Sequence, residues 1–241
     1  MQLELEWKTR CNLAAIYRIF DILNWSDSIF THISARIPGT DYILMNPYGY
    51  LYEEITASSL IKINLNDGSS EERLYNKVGY NIHSAVHVAR PDINYIVHTH
   101  TTPIVAVSSF TNGLQPCSQY GVYITKNISY HDYEGIFFWE DEKERLVSSI
   151  GKNNFCMMKN HGSLVTAKTI DSAFFNQYIL QRACEIQLAI QSTDNLFIPI
   201  EKDVTDRTTK YNTDNQSDRA PPLLWSAMKR KLDRINPGYD T

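Results

Sequence analysis

The tripeptide Arg90-Pro91-Asp92 separates two segments of opposite periodicity, and no other feature constrains the fold as much. Upstream, residues 78 to 89 carry a helical pattern, which ends because Pro91 disfavours a helical conformation at Arg90. Downstream, Ile93, Tyr95, Ile96 and Val97 are strand formers that lead into His98-Thr99-His100. A further helix is expected from Pro103, a residue suited to a first turn, to Phe110. The same alternation runs along the chain. Residues 7 to 24 place Leu13, Ile16, Tyr17, Phe20 and Leu23 at helical spacing. Strands are expected at 30–37, 42–45, 61–65, 122–129, 155–159 and from Val165 onward, with helices near 141–150 and over 171–192, the latter capped by Asp171. Pro38-Gly-Thr-Asp41, Pro47-Tyr-Gly49 and Asn66-Asp-Gly68 read as turns. Helices so interleaved with strands indicate an α/β fold with α/β/α layers.

The chain is expected to form a single domain over 1–241, its core spanning about 6–200. Beyond that, Asp203 to Asp218 is polar and reads as a mobile loop or lid. Ala220-Pro-Pro-Leu-Leu-Trp then opens an amphipathic helix, to be packed on its own core or on a neighbouring subunit. A formal net charge of −4 argues against a general nucleic-acid surface. No apolar run is long enough for a membrane span, and the first residues lack the pattern of a signal peptide. Cys11, Cys117, Cys156 and Cys184 show no metal or redox spacing, so reduced thiols of a cytoplasmic protein are expected.

His98 and His100 carry the chemistry. Residues i and i+2 of a strand share a face, so both imidazoles aim at one point, and a third ligand would make a metal site with open positions. His161, in Met157-Met-Lys-Asn-His-Gly-Ser163, is the candidate third ligand. The alternative is a relict histidine cluster that no longer fills with metal. His83 and His87, four apart on one helical face, are candidates for supporting a ligand or touching substrate. His131 reads as structural, and His32 as a group that faces the cleft or a loop histidine without a role.

Gly79-Tyr-Asn-Ile-His-Ser-Ala-Val-His, Arg90-Pro-Asp, His98-Thr-His, Tyr130-His-Asp-Tyr and Asn160-His-Gly together resemble the class II aldolase/adducin family over roughly residues 6 to 200. Trp25-Ser26 and Thr56-Ala-Ser-Ser-Leu-Ile-Lys-Ile-Asn-Leu65 place the likeness nearest the adducin-like branch. The resemblance implies a three-layer α/β/α sandwich on a central, mostly antiparallel sheet, as in L-fuculose-phosphate aldolase. It implies that His98, His100 and His161 hold Zn2+, with Fe2+ or another divalent metal as the alternative, and that the protein is a lyase-type enzyme acting on a small carbonyl or hydroxy substrate. Tyr120 lies about where the aldolases carry an acid tyrosine, with Tyr123, Tyr130 and Tyr133 as competitors.

Two departures matter. Gly79 stands where the aldolases place a catalytic Glu, and glycine moves no proton. Glu71 and Glu72 would reach the site only by a different loop path. The phosphate-cradling segments read Thr31-His-Ile-Ser34 and Tyr48-Gly49, so a phosphate-bearing substrate is not expected. The resemblance further implies a homotetramer with each cleft completed by a neighbour. Two alternatives stay open: a non-catalytic adducin-head-like oligomerising module, and an iron-dependent oxygenase on the same fold. Adducins make their cytoskeletal contacts through long tails, and actin is not an expected partner here.

Overall fold

A computed structural model of the chain describes residues 1–70, 74–135, 140–194, 197–214 and 219–241. Seven strands form one sheet: β1 (His32–Arg36), β2 (Tyr42–Met45), β3 (Ile61–Asn64), β4 (Tyr95–Thr99), β5 (Ile128–His131), β6 (Phe155–Met158) and β7 (Gly162–Ala167). Their spatial order is β3-β2-β1-β4-β7-β6-β5. Only β5 and β6 pair in parallel; the other neighbours are antiparallel.

Helices cover both faces. On one side lie α2 (Lys77–Ala89) and α5 (Glu140–Ile150); on the other, α1 (Gln2–Ile22), α3 (Thr102–Ser108), α6 (Ile170–Gln191) and α8 (Ala220–Ile235). The alternation along β4 shows how the strand serves both layers. Tyr95 and Val97 join the main core with Leu13, Phe20, Phe174 and Leu180. Ile96 joins Ile82, Val86, Leu146 and Leu164 in the smaller core under α2 and α5. His98, two residues after Ile96, therefore emerges on the α2 side. The expected α/β/α sandwich with a mostly antiparallel sheet is what forms.

The local differences have physical reasons. Residues 122–124, the start of the expected strand 122–129, belong instead to helix α4 (Gln119–Ile124), which the Ser118 side chain caps by accepting from the Gly121 N–H; β5 starts only at Ile128. The polar segment expected as a loop contains helix α7 (Lys202–Asp214). Ion pairs Lys202–Asp206 and Arg207–Asp203 brace it at i,i+4 spacing, and Lys126 reaches Asp206 from the α4 side. The cap of α6 is Thr169, not Asp171, which sits in the first turn. Helix α8 buries Trp225 and Leu232 against its own core. No described helix is long and apolar enough to cross a membrane. The four cysteines are free.

Candidate metal centre

Three elements bring the site together. His98 lies in the fully buried strand β4, one residue before its end at Thr99, and His100 stands one residue past that strand. His161 precedes β7, which pairs with β4 so that Thr99 lies opposite Ser163. The turn that delivers His161 needs its flanking residues. Asn160 adopts a left-handed φ of 59°, a conformation Asn tolerates. At Gly162 a Cβ would overlap the Thr99 carbonyl oxygen, so only glycine lets the two chains approach.

The three imidazoles converge. Ring centroids are 4.6 Å apart for His98 and His100, 4.9 Å for His98 and His161, and 4.7 Å for His100 and His161. One nitrogen from each lies within 4.8 Å of the others. The second nitrogens of the strand pair are tied off. His98 Nδ1 donates to the Ser163 carbonyl at 2.9 Å, and His100 Nδ1 lies 3.1 Å from Asp27 Oδ2. Each bond directs Nε2 inward, and the two Nε2 atoms stand 2.7 Å apart. Imidazoles fixed through the far nitrogen by a carbonyl and a carboxylate are a normal arrangement for metal ligands. Burial holds His98 well below the usual histidine range, with the neighbouring histidines adding to the effect, and brings His161 down to about 4. Their lone pairs are thus free at neutral pH, as metal coordination requires. The donor set fits a divalent metal of the zinc type.

A file of polar side chains runs away from this cluster between β1 and α2. His32 is the cross-strand partner of His98, their rings stacked at 4.8 Å. His32 Nδ1 meets His83 Nε2 at 2.8 Å, His83 Nδ1 meets Ser34 Oγ at 2.5 Å, and Ser34 Oγ meets His87 Nε2 at 2.8 Å. Spacing i, i+2 on the strand and i, i+4 on the helix makes this seam possible. His32, His83 and His87 are buried, which lowers the pKa of each, that of His87 to about 3.

His83 therefore stands one ring behind His32 and supports it. Tyr120 lies elsewhere, on α4, edge-on to Tyr178 at 6.2 Å; Tyr178 in turn tilts against Trp25 at 6.4 Å. Trp25 lines a cleft of about 390 Å³ beside His100, so Tyr120 is two rings back from it. The charged side chains on that cleft are Asp27 and Glu185, with no lysine or arginine among its lining residues. His131 Nδ1 lies 3.0 Å from Ser149 Oγ and its Nε2 3.9 Å from Glu134 Oε1, while the neighbouring Asp132 pairs with Lys159. Glu71, Glu72 and the aromatic run Phe137-Phe138-Trp139 lie outside the described residues. Sequence reasoning missed Asp27 and Ser34. Asp27 is 73 positions from the histidine it orients, and only the pairing of β1 with β4 brings that loop to His100.

Residues 11–188 match the family model described as the Class II Aldolase and Adducin N-terminal domain. A protein of Pseudomonas aeruginosa, provisionally named an aldolase class 2 protein, is 41% identical over 239 residues, covering 97% of this chain and 92% of the relative. Mouse alpha-adducin is 35% identical over 249 residues; that alignment takes in 96% of this chain but only 34% of the adducin. The crystal structure of an aldolase II superfamily protein from Pseudomonas syringae superposes with a TM-score of 0.94 at 36% identity, covering 98% of this chain and 96% of the other. Matches of this length and identity in both sequence and fold leave one assignment: the chain belongs to the class II aldolase/adducin family.

Proposed function

We propose that this protein is a metal-dependent, lyase-type enzyme that uses zinc held by His98, His100 and His161 on a small carbonyl or hydroxy substrate. The observation that carries this reading is the tying-off of His98 and His100 through Nδ1, which leaves both Nε2 atoms aimed at a common point. Zinc bound there would act as a Lewis acid for a carbonyl or alkoxide oxygen. The substrate has no phosphate handle in this reading. Support comes from the acidic lining of the adjoining cleft and from Ser34, whose hydroxyl is already engaged by two histidines. Tyr120 enters as a proton donor offered across a subunit border, in a cytoplasmic homotetramer, and His83 as the support of His32.

Elemental analysis tests the proposal. The purified chain is expected to hold about one zinc per subunit, and His98→Ala with His100→Ala to abolish retention. Full metal content in that double variant would overturn it. A second reading, a non-catalytic platform, draws on the likeness to alpha-adducin; a chain that holds no metal under any loading condition would favour it.

A further inference from the structure

The cleft beside His100 is walled by three stretches of chain: Leu23 to Asp27 ahead of β1, His100 to Pro103 leading into α3, and Gln181 with Glu185 on α6. Gln181 is 3% exposed, and it fixes the polarity of one wall. Its Nε2 donates to Glu185 Oε1 at 2.9 Å, and its Oε1 accepts from Thr101 Oγ1 at 2.7 Å. The donor chemistry allows no other order. A carboxylate only accepts, so the amide nitrogen faces Glu185 and the amide oxygen faces Thr101. An amide oxygen accepts as well, so the single hydroxyl hydrogen of Thr101 is spent on Gln181. Thr101 offers the cleft lone pairs alone.

The two carboxylates extend this pattern. Glu185 Oε2 is ion-paired with Arg182, whose side chain is outside the lining, and Asp27 Oδ2 lies against His100 Nδ1. Asp27 Oδ1 has no hydrogen-bond partner among the described residues. A ligand must therefore bring donors to Thr101, Glu185 and Asp27, while anionic oxygens would meet lone pairs there. Hydroxyls suit the cleft better than an ammonium group, which only donates. Asn24, Ser26 and Thr102 on the same walls both donate and accept, and each carboxylate already has a donor partner. Trp25 and Pro103 supply apolar surface for the C–H groups between hydroxyls, and a volume of about 390 Å³ accommodates a small molecule.

We propose that this cleft is a subsite for an uncharged polyhydroxylated compound, whose hydroxyls donate to Thr101, Glu185 and Asp27. Gln181 is the residue that sets this preference, because it consumes the Thr101 donor. As a substrate site the cleft rests on the metal-dependent reading above; as a binding site it does not.

The experiment titrates the full chain with four probes of similar length, followed by saturation-transfer NMR. Ribitol is uncharged, ribonate carries a terminal carboxylate, ribitylamine carries a terminal ammonium, and the linear pentanediol has hydroxyls only at its two ends. Ribitol is expected to bind with millimolar affinity, and ribonate about tenfold more weakly or worse. Pentanediol should also bind more weakly, since it leaves acceptors of the cleft unpaired. Thr101→Val is expected to lower ribitol affinity about fivefold. Glu185→Gln keeps the shape and removes the charge, and should narrow the preference for ribitol over ribonate by about threefold. Ribonate or ribitylamine binding more tightly than ribitol, or pentanediol binding as tightly, would overturn the proposal. Unchanged ribitol binding and preference in both variants would place the ligand elsewhere and overturn it too. If Thr101→Val does not fold, the wild-type series and Glu185→Gln decide. Zinc content of each sample separates the two readings. Ribitol bound by a chain that retains no zinc would overturn the metal reading and leave the subsite; zinc retained without ribitol binding would overturn the subsite alone.

Discussion

Asp27→Ala isolates what orientation contributes to the metal centre, because Asp27 touches His100 and is not itself among the three converging ligands. The backbone of the loop should survive the change, since the Asp27 N–H donates to Thr31 Oγ1 independently of the carboxylate. Without the carboxylate, His100 Nδ1–H turns to water and the ring gains freedom. Loss of such an outer partner costs about 10- to 100-fold in metal affinity. The Asp27 side chain is 46% exposed and His100 19%, so solvent screens the pair and replaces part of the bond. The lower end applies: about tenfold, or roughly 1.4 kcal/mol. Asp27→Asn keeps an acceptor for Nδ1–H but removes the charge, and should lose only about threefold. Competition against a chromophoric chelator at pH 7.5 measures both variants, with stoichiometry fixed by elemental analysis. Wild-type affinity in Asp27→Ala would refute the argument that Asp27 orients a ligand. Equal losses in Ala and Asn would show that charge matters and the hydrogen bond does not.

Other expectations follow from the same geometry. His83 and His87 fold as neutral groups with pKa values depressed by burial, so the unfolded chain binds protons that the native one refuses. Their contribution is complete above the unfolded value near 6.5 and is lost as pH falls from there toward about 3 for His87, at roughly 1.4 kcal/mol per pH unit per group; a Tm of the metal-free protein that stays flat from pH 7.5 to 5 would contradict this. Gly162→Ala should destabilise by roughly 1–3 kcal/mol in chemical denaturation and also weaken metal binding, because the new methyl meets the Thr99 carbonyl and the His100 ring. Light scattering at micromolar concentration should give a tetramer, and a mass of 27.8 kDa would remove the subunit-border role of Tyr120.

What the sequence made legible was local. The helix-to-strand switch at Pro91, the same-face pair His98 and His100, and the His83/His87 spacing each depend on residues a few positions apart, where periodicity determines direction. The errors also have local causes. Residues 122–124 look like a strand because Val122, Tyr123 and Ile124 favour one, but a Ser118 cap and packing against α6 turned them into helix. Residues 202–214 look like a loop because they are polar, yet their charges fall at helical spacing. The absence of a side chain at Gly79 was visible; the ring that fills the space beside it was not. His32 is 47 positions upstream, and only the register of two strands puts it beside His98.

That register is enforced by the polar seam itself. Slipping β1 by one residue against β4 would turn His32, Ser34 and Arg36 toward the main core and bring Ile33 and Ala35 against α2. Three polar side chains would then face Val97 and Phe20 without partners, each at a cost of about 1–3 kcal/mol. In the native register every one of them has a partner: His32 and Ser34 on His83, Ser34 on His87, and Arg36 on the His87 carbonyl. An all-apolar seam would hold the sheet to α2 with less risk, since a half-satisfied polar network is costly to bury. Stability alone therefore does not account for three histidines and a serine between β1 and α2. Their arrangement fixes the His32 ring, stacked on His98, in the space that Gly79 leaves in the first turn of α2.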